Sequence, residues 1–298
     1  MWGRETTGQL EEELSRFIWY DAAMIVDGKA IAEKLYGELA VERKEFGELV
    51  LGHLVTEMSP VTASYARIKE RGAEKLGIKM VRTELPEGSD TAAAIKAIQH
   101  LMEIADGVIP QLPIVSGIDA EAVINAMSKE KDVDVLSAAA VAEFETGKWS
   151  AIPPVPAALA YILKESGVDV RGKNIVSLGR GRLVGKPAAV LFQHLGATVD
   201  LLGRDADIVS YTKKADIIIL GAGVPGILKP DMVKEGVAII DAGTSESGGK
   251  VVGDADPAVA DKAGVFTPVP GGVGPVAIAM IYKNVFALKR LAGSLQSG

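Results

Sequence analysis

The stretch Ser177 to Pro187, SLGRGRLVGKP, decides the fold of this chain. The apolar run before it, Asn174 to Leu178, reads as a buried strand, and an apolar-periodic segment after it reads as a helix. A glycine turn between strand and helix suits a dinucleotide phosphate, because glycine admits close backbone approach and free N–H groups at a helix start favour an anion. Its glycines, Gly179, Gly181 and Gly185, are spaced G-x-G-x-x-x-G, one residue longer than the common fingerprint. A tight turn that holds no ligand is the plain alternative. The next strand adds to the reading, since NAD sites commonly place an acid at its end for the ribose 2′-hydroxyl. Here ATVDLL runs into Gly203 and Arg204, and Arg180 stands in the first loop. Two arginines would pair with a 2′-phosphate and favour NADP; solvated surface arginines are the alternative, with Asp200 and Asp205 close by.

Outward from this loop, short apolar strands are expected at Asn174 to Leu178, Thr198 to Leu202, Ile217 to Leu220, Val237 to Ile240 and Val265 to Thr267. Strands apolar on both faces and separated by helical segments imply a parallel sheet covered by helices, a Rossmann-like domain. The same alternation fills the N-terminal half. Helices are expected over Gly28 to Phe46, from Ser59 (a candidate N-cap) and Pro60 to Gly77, over Asp90 to Ala105, and near Asp119 to Met127. Strand-like ELVLGHLV, IKMVRT, GVIPQLPI and KDVDVLS lie around and between them. The proline-rich GKWSAIPPVPAALAYILKESG reads as the passage between domains. The expected architecture is therefore α/β with two domains: residues 1–150 form an N-terminal α/β domain and 151–275 the Rossmann-like domain. The last helix, within 276–298, packs back on the first domain and completes it. A short additional helix is expected before about Ala22.

Composition bounds the function. The chain has 298 residues, of which 48% are hydrophobic and 24% charged, ordinary values for a globular protein of two domains. Its net charge of −7 argues against a general nucleic-acid surface. No apolar run reaches the roughly 20 residues of a membrane span, and no apolar core follows the N-terminus as in a secretory signal, so a cytoplasmic location is expected. The absence of cysteine excludes disulfides and thiolate chemistry. His53, His100 and His194 lack metal-ligand spacing, so no metal is expected and each reads as a core or surface histidine.

In the first half, Tyr65 and Lys69 lie four apart on an expected helix and share a face. A solvated lysine is the ordinary reading. Against it stand Gln111, in PQLPI at the end of an expected strand, and Asp134, in KDVD in an expected strand-end loop, because parallel sheets place sites at such ends. A lysine in an apolar cleft loses part of its preference for the charged form and can exchange protons near neutral pH. A nearby amide orients it, and a carboxylate can bind an N–H-rich substrate. Gln111 and Asp134 read equally as polar loop residues on spacing alone. A third candidate is TPVPGGVGPVAIAM, where Gly271, Gly272 and Gly274 leave room for a planar ligand, or simply connect a loop to the last helix.

Taken in order, these segments resemble one family, the bifunctional methylenetetrahydrofolate dehydrogenase/methenyltetrahydrofolate cyclohydrolases often called FolD. DGKAIA resembles the family's opening, SYARIKERGAEKLGI its Tyr-x-x-x-Lys helix, PQLPI its Gln-Leu-Pro strand end, and KDVD its Lys-Asp-Val-Asp turn. GRGRLVGKP resembles its Gly-Arg-Ser loop, and TPVPGGVGP closely matches its Pro-Gly-Gly-Val-Gly-Pro signature. The resemblance implies that Lys69 is the central catalytic residue, Gln111 its hydrogen-bonding partner, Asp134 a pterin-binding carboxylate and Tyr65 a ring lining the folate cleft. It places Leu112, Pro113, Pro270, Gly271 and Gly272 at the substrate, and NADP on Gly179, Arg180, Gly181 and the loop near Thr244, to which the loop and strand-end reading adds Gly185 and Arg204. It also implies a homodimer. The implied reactions are oxidation of 5,10-methylenetetrahydrofolate by hydride transfer to NADP and hydrolysis of the 5,10-methenyl product to 10-formyltetrahydrofolate. Gly181 replaces the family's serine, Gly203-Arg204 its frequent His-Ser, Pro153-Pro154-Val155-Pro156 its Pro-Cys-Thr-Pro, Val135 the glycine after its aspartate, and Val276-Ala277 its Met-Thr. These departures bear on pterin contacts and on the balance of the two activities. They keep open a dehydrogenase with weak or absent cyclohydrolase activity, one acting on a related pterin carrier, and a non-catalytic nucleotide sensor, against which the intact Lys69 argues.

Overall fold

The computed structural model describes residues 23–58, 60–203, 205–247 and 250–296. The helix expected before Ala22 and the cap expected at Ser59 lie outside these residues. In chain order the elements are β1 (Met24–Ile25), α1 (Gly28–Glu42), β2 (Val50–Val55), α2 (Pro60–Lys75), β3 (Lys79–Glu84), α3 (Thr91–Ile104), β4 (Gly107–Pro110), α4 (Ala120–Asn125), α5 (Ala138–Glu145) and α6 (Pro154–Glu165). The second half continues with β5 (Asn174–Leu178), α7 (Gly185–His194), β6 (Thr198–Leu202), α8 (Ile208–Thr212), β7 (Ile217–Leu220), β8 (Val237–Asp241), the hairpin strands β9 (Ser245–Ser247) and β10 (Lys250–Val252), β11 (Ala263–Phe266) and α9 (Val273–Gln296).

Two parallel sheets organise the molecule. The first has the order β3-β2-β4 and the second β1-β11-β8-β7-β5-β6. In both, the first strand of the half is followed by a neighbour on one side and then by a neighbour on the other. The chain thus reverses direction across each sheet between β2 and β4, and between β5 and β7. Such switch points leave a crevice at the carboxyl ends of the strands, where parallel α/β proteins bind ligands. Strands β4, β7 and β8 are buried along their whole length, as strands covered on both faces must be. KDVD makes only one parallel bridge, Asp132 to Val108, at the edge of the first sheet. Met24 and Ile25 pair with Val265 and Phe266, so the N-terminal segment crosses to the edge of the second sheet. We propose two units divided near residue 150, with β1 lent to the second.

Local chemistry starts the helices. Asp27 accepts hydrogen bonds from the N–H groups of Lys29 and Ala30, and Asp90 from that of Ala93, satisfying donors that a helix start leaves free. Ala32, Leu35 and Leu39 then bury one face of α1, and Ala94, Ile98 and Leu101 one face of α3. The final helix, about 36 Å long at 1.5 Å per residue, returns across α1, α2 and α6. Tyr282, Val285 and Phe286 are buried in one core with Leu35 and Leu39 of α1, Leu159 of α6 and Phe192 of α7. The side chain of Asn284 staples the passage between halves: its Nδ2 donates to the carbonyls of Val133 (2.8 Å) and Ile152 (2.7 Å), and its Oδ1 accepts from the N–H of Ile152 (3.2 Å).

Val135 has φ +54°, the only non-glycine positive value among the described residues. A β-branched side chain in this region costs about 1–2 kcal/mol. The backbone keeps the conformation that glycine would adopt freely, while the side chain is buried with Ala140, Phe144 and Leu191. Packing compensates strain here, and the turn that presents Asp134 is preserved. Two stability outcomes are expected. Asn284→Leu, which strands three backbone groups, one of them buried, should lower unfolding free energy by about 2–4 kcal/mol in urea titration. At position 135 the usual order of truncations should close or invert: Val135→Gly, relieved of strain, should be at least as stable as Val135→Ala, which keeps the strain and loses the contacts. Paired denaturation midpoints check this.

Candidate active site

The switch point of the first sheet gathers the sequence candidates. Helix α2 leaves the end of β2 and carries Lys69 toward the loop that follows β4, whose first residue is Gln111. The N–H of Gln111 is tied to the carbonyl of Leu54 at 2.8 Å, which extends the sheet and fixes the origin of the side chain. Lys69 donates from Nζ to Gln111 Oε1 at 2.8 Å, and both residues are buried, at 8% and 7% exposure. Gln111 Nε2 donates in turn to the carbonyl of Leu112 at 2.8 Å. The backbone at Lys69 is anchored as well, because the hydroxyl of Tyr282 on α9 donates to the Lys69 carbonyl. Gly72, one turn on, lets the tyrosine in: a β-carbon there would overlap the hydroxyls of Tyr36 and Tyr282.

Burial sets the electrostatics of this group. Loss of solvent lowers the pKa of Lys69 from the ordinary lysine value, opposed by the charge of Asp134. Loss of solvent likewise raises Asp134 to about 6, opposed by Lys69 and assisted by the neighbouring Asp132. Asp132 is fully buried; its Oδ2 accepts from the N–H groups of Leu136 (2.9 Å) and Ser137 (2.7 Å), which shapes the turn that displays Asp134. A lysine and a carboxylate that each lean toward neutrality are equipped for proton exchange and for binding N–H groups.

The structure therefore brings Lys69, Gln111 and Asp134 together, with Leu112 as acceptor for the glutamine amide and Pro113 next along the chain. Tyr65 lies one turn before Lys69 on the same helix, 39% exposed and available to a ligand in the crevice. Gly271 and Gly272 lie against the start of α1: a β-carbon on Gly28 would overlap both of their carbonyl oxygens. Pro270 is exposed beside them. Sequence reasoning missed His53. It sits in β2, fully buried, with Nε2 3.2 Å from Gln111 Oε1. The signal was present, because a histidine inside the apolar run ELVLGHLV has to find a polar partner.

At the switch point of the second sheet the loops after β5 and β7 touch. Gly179 has φ +105°, and a β-carbon on it would overlap the carbonyl of Gly221. Gly185 opens α7 directly against the Gly179 carbonyl, and no side chain caps that helix; the N–H of Lys186 donates to the Gly181 carbonyl at 3.2 Å and Pro187 has none, so the cradle is formed by the glycine loop more than by the helix start. Gly181 is exposed in the same loop. Arg180 folds over the end of β6: its Nη2 is 3.4 Å from the carbonyl of Leu201, and its Nε would lie 3.3 Å from a β-carbon on Gly203. That strand end is where a nucleotide ribose is bound in such sheets. Arg204 lies outside the described residues. Thr244 is exposed just beyond β8. Arg182 instead forms an ion pair with Glu121 of α4 at 2.5 Å, joining the loop to the first half. The cradle fits a dinucleotide phosphate, with a cation at the ribose end. Among the described residues, no group of three or more His, Asp or Glu side chains could hold a metal.

Comparison with known proteins agrees with both halves. Residues 26–134 match the tetrahydrofolate dehydrogenase/cyclohydrolase catalytic-domain model, and residues 153–292 match the NAD(P)-binding-domain model of the same family. The bifunctional protein FolD 2 of Geobacter sulfurreducens is 36% identical over 281 residues, covering 91% of this chain and 99% of that protein. The bifunctional protein FolD of Methanospirillum hungatei is 37% identical over 272 residues, covering 90% and 98%. Among solved structures, the FolD methylenetetrahydrofolate dehydrogenase/cyclohydrolase of Campylobacter jejuni superposes with a TM-score of 0.87 at 32% identity, covering 91% of this chain and 100% of that one. The Trypanosoma brucei enzyme, solved with NADP cofactor and an inhibitor, gives 0.85 at 31% identity, covering 91% and 99%. The chain belongs to the tetrahydrofolate dehydrogenase/cyclohydrolase family and is an α/β enzyme whose second half is its NAD(P)-binding domain.

Proposed function

We propose that this enzyme oxidises 5,10-methylenetetrahydrofolate with NADP and hydrolyses the 5,10-methenyl product to 10-formyltetrahydrofolate. The observation that carries the reading is the buried Lys69–Gln111 pair beside Asp134 at the switch point of the first sheet. Asp134, as a carboxylate, accepts N–H groups of the pterin and fixes its edge. Tyr65 lines the folate cleft, and Leu112, Pro113, Pro270, Gly271 and Gly272 complete the substrate walls. Gly179, Arg180, Gly181, Gly185, Arg204 and Thr244 would hold NADP, with an arginine toward the 2′-phosphate. When bound, the nicotinamide supplies the hydride acceptor for the first reaction.

The residues of the first half then carry the hydrolysis. Lys69 in its uncharged form takes a proton from the water that adds to the amidinium carbon of the methenyl group. The proton passes to N5 as the carbon–N5 bond breaks, the hydroxyl proton leaves to solvent, and the formyl group stays on N10. Gln111 holds the amine at the working position through the 2.8 Å hydrogen bond. The departure at Val135 favours retention of pterin binding, because the backbone there keeps a glycine-like φ. The family resemblance further supports a homodimer acting in the cytoplasm, with a small-molecule folate and no nucleic-acid or membrane partner.

Two outcomes test the reading. Purified enzyme given methylenetetrahydrofolate should reduce NADP faster than NAD, followed by nicotinamide absorbance; no reduction of either cofactor would remove the dehydrogenase. Lys69→Met should lower methenyl hydrolysis by at least about a hundredfold, and hydrolysis at the wild-type rate would exclude the lysine. The pH dependence follows from Asp134. Its carboxyl is raised to about 6, so it is neutral below and charged above that value. Folate kcat/KM should therefore rise as pH increases through about 6, and Asp134→Asn should lack that limb.

A further inference from the structure

His53 is a polar side chain at this site to which the reaction above gives no role. It is fully buried in β2, yet it is not idle: its Nε2 lies 3.2 Å from the Gln111 oxygen that also receives Lys69. The bond directions are settled by the end of the chain of contacts. The Leu112 carbonyl can only accept, so the nitrogen of the Gln111 amide faces it and the oxygen faces Lys69 and His53. An oxygen can only accept, so the imidazole must carry its proton on Nε2. His53 Nδ1 is then an unprotonated nitrogen, and it has no partner in the structure.

We infer that His53 is a positioning residue for hydrolysis: its Nε2–H fills the second acceptor site of Gln111 Oε1, so the amide cannot turn and offers Lys69 a single bond. The inference rests on the proposed role of Lys69. An amide oxygen has two lone pairs. With one taken by His53, Lys69 directs one N–H into the protein and keeps its remaining valences for the crevice. Without the imidazole, a water or a second lysine N–H would take the free lone pair, and the amine would lose its fixed direction. The ring has to stay neutral to serve, and its surroundings keep it so. Burial together with the charges of Lys69 on α2 and Arg82 on β3 lowers His53 to about 4. It therefore holds one protonation state across the working range and does not itself exchange protons there.

The test uses the whole enzyme with three measurements. In 15N spectra of labelled protein, His53 should show a protonated Nε2 and an unprotonated Nδ1 down to about pH 5; an Nδ1–H tautomer would overturn the inference. This readout needs no activity, so it decides about His53 even if the enzyme proved inactive and the proposed function failed. His53→Leu should lower kcat for methenyl hydrolysis by about tenfold, leave KM within about twofold, and displace the pH profile of that kcat. His53→Gln, which returns an N–H donor, should restore most of the rate and the profile. Wild-type rate and profile in His53→Leu would sink the idea. So would a His53→Gln enzyme, folded by circular dichroism, that lacks the restored rate and profile. That comparison stands even if His53→Leu does not fold.

Discussion

A lysine amine held by one amide oxygen, Lys69 on Gln111 at 2.8 Å, is the contact around which the first half is arranged. A buried ammonium without partners would be too costly to keep, so each neighbouring element must deliver a partner or a support. Strand β4 leads directly into Gln111, whose N–H prolongs the sheet on Leu54. Helix α2 brings the lysine, and α9 returns from more than 200 positions away to hold the lysine's own carbonyl through Tyr282. The glycine at position 72 has the same cause, since any β-carbon would push that tyrosine off. The long final helix is thus part of the site's construction.

The second half solves a related problem with buried carboxylates. Asp254 is fully buried and accepts from the N–H groups of Ala222 (2.6 Å), Gly223 (3.0 Å) and Val224 (2.8 Å), which draws the loop after β7 into a fixed curve beside the phosphate cradle. Asp241 accepts from Gly243 and Ala255, each at 2.8 Å, and shapes the loop after β8 in the same way. Burial raises Asp241 to about 6 in spite of those donors, so desolvation outweighs them there. Loops that would otherwise sample many conformations are preorganised by these buried side chains.

Much of this was legible in the sequence where the physics is local. All five strands expected in the second half are found, with small boundary differences, because double-sided burial leaves continuous apolar runs. Asp90 capping α3 and Pro60 opening α2 follow from helix-end chemistry. The pairing of Met24 and Ile25 with β11 was not legible: two residues carry no periodicity, and their partners lie some 240 positions on. Likewise KDVD reads as a strand by composition but settles as one bridge, because Asp132 turns its carboxylate inward to bind Leu136 and Ser137. Gln111 and Asp134 draw notice at expected strand ends and bring the helical Lys69 with them, while the roles of all three come from the family resemblance. His53 was passed over because a single histidine is ambiguous until the element opposite it is known.

The direction of the two pKa shifts at the site says which force dominates. If attraction between Lys69 and Asp134 prevailed, the lysine would rise and the carboxyl would fall, as in a surface ion pair. Both move the other way, so withdrawal from water exceeds their mutual attraction. The pair is therefore poised toward exchange of protons rather than toward a stable salt bridge. A planar substrate that covers the crevice removes more water and pushes both groups further toward neutrality, unless it brings its own partner for one of them. A pterin edge rich in N–H groups is such a partner for Asp134, and it would hold the carboxylate charged while the amine of Lys69 is left free to act as a base. The same burial that makes the site costly to build thus makes its protonation state depend on what enters it.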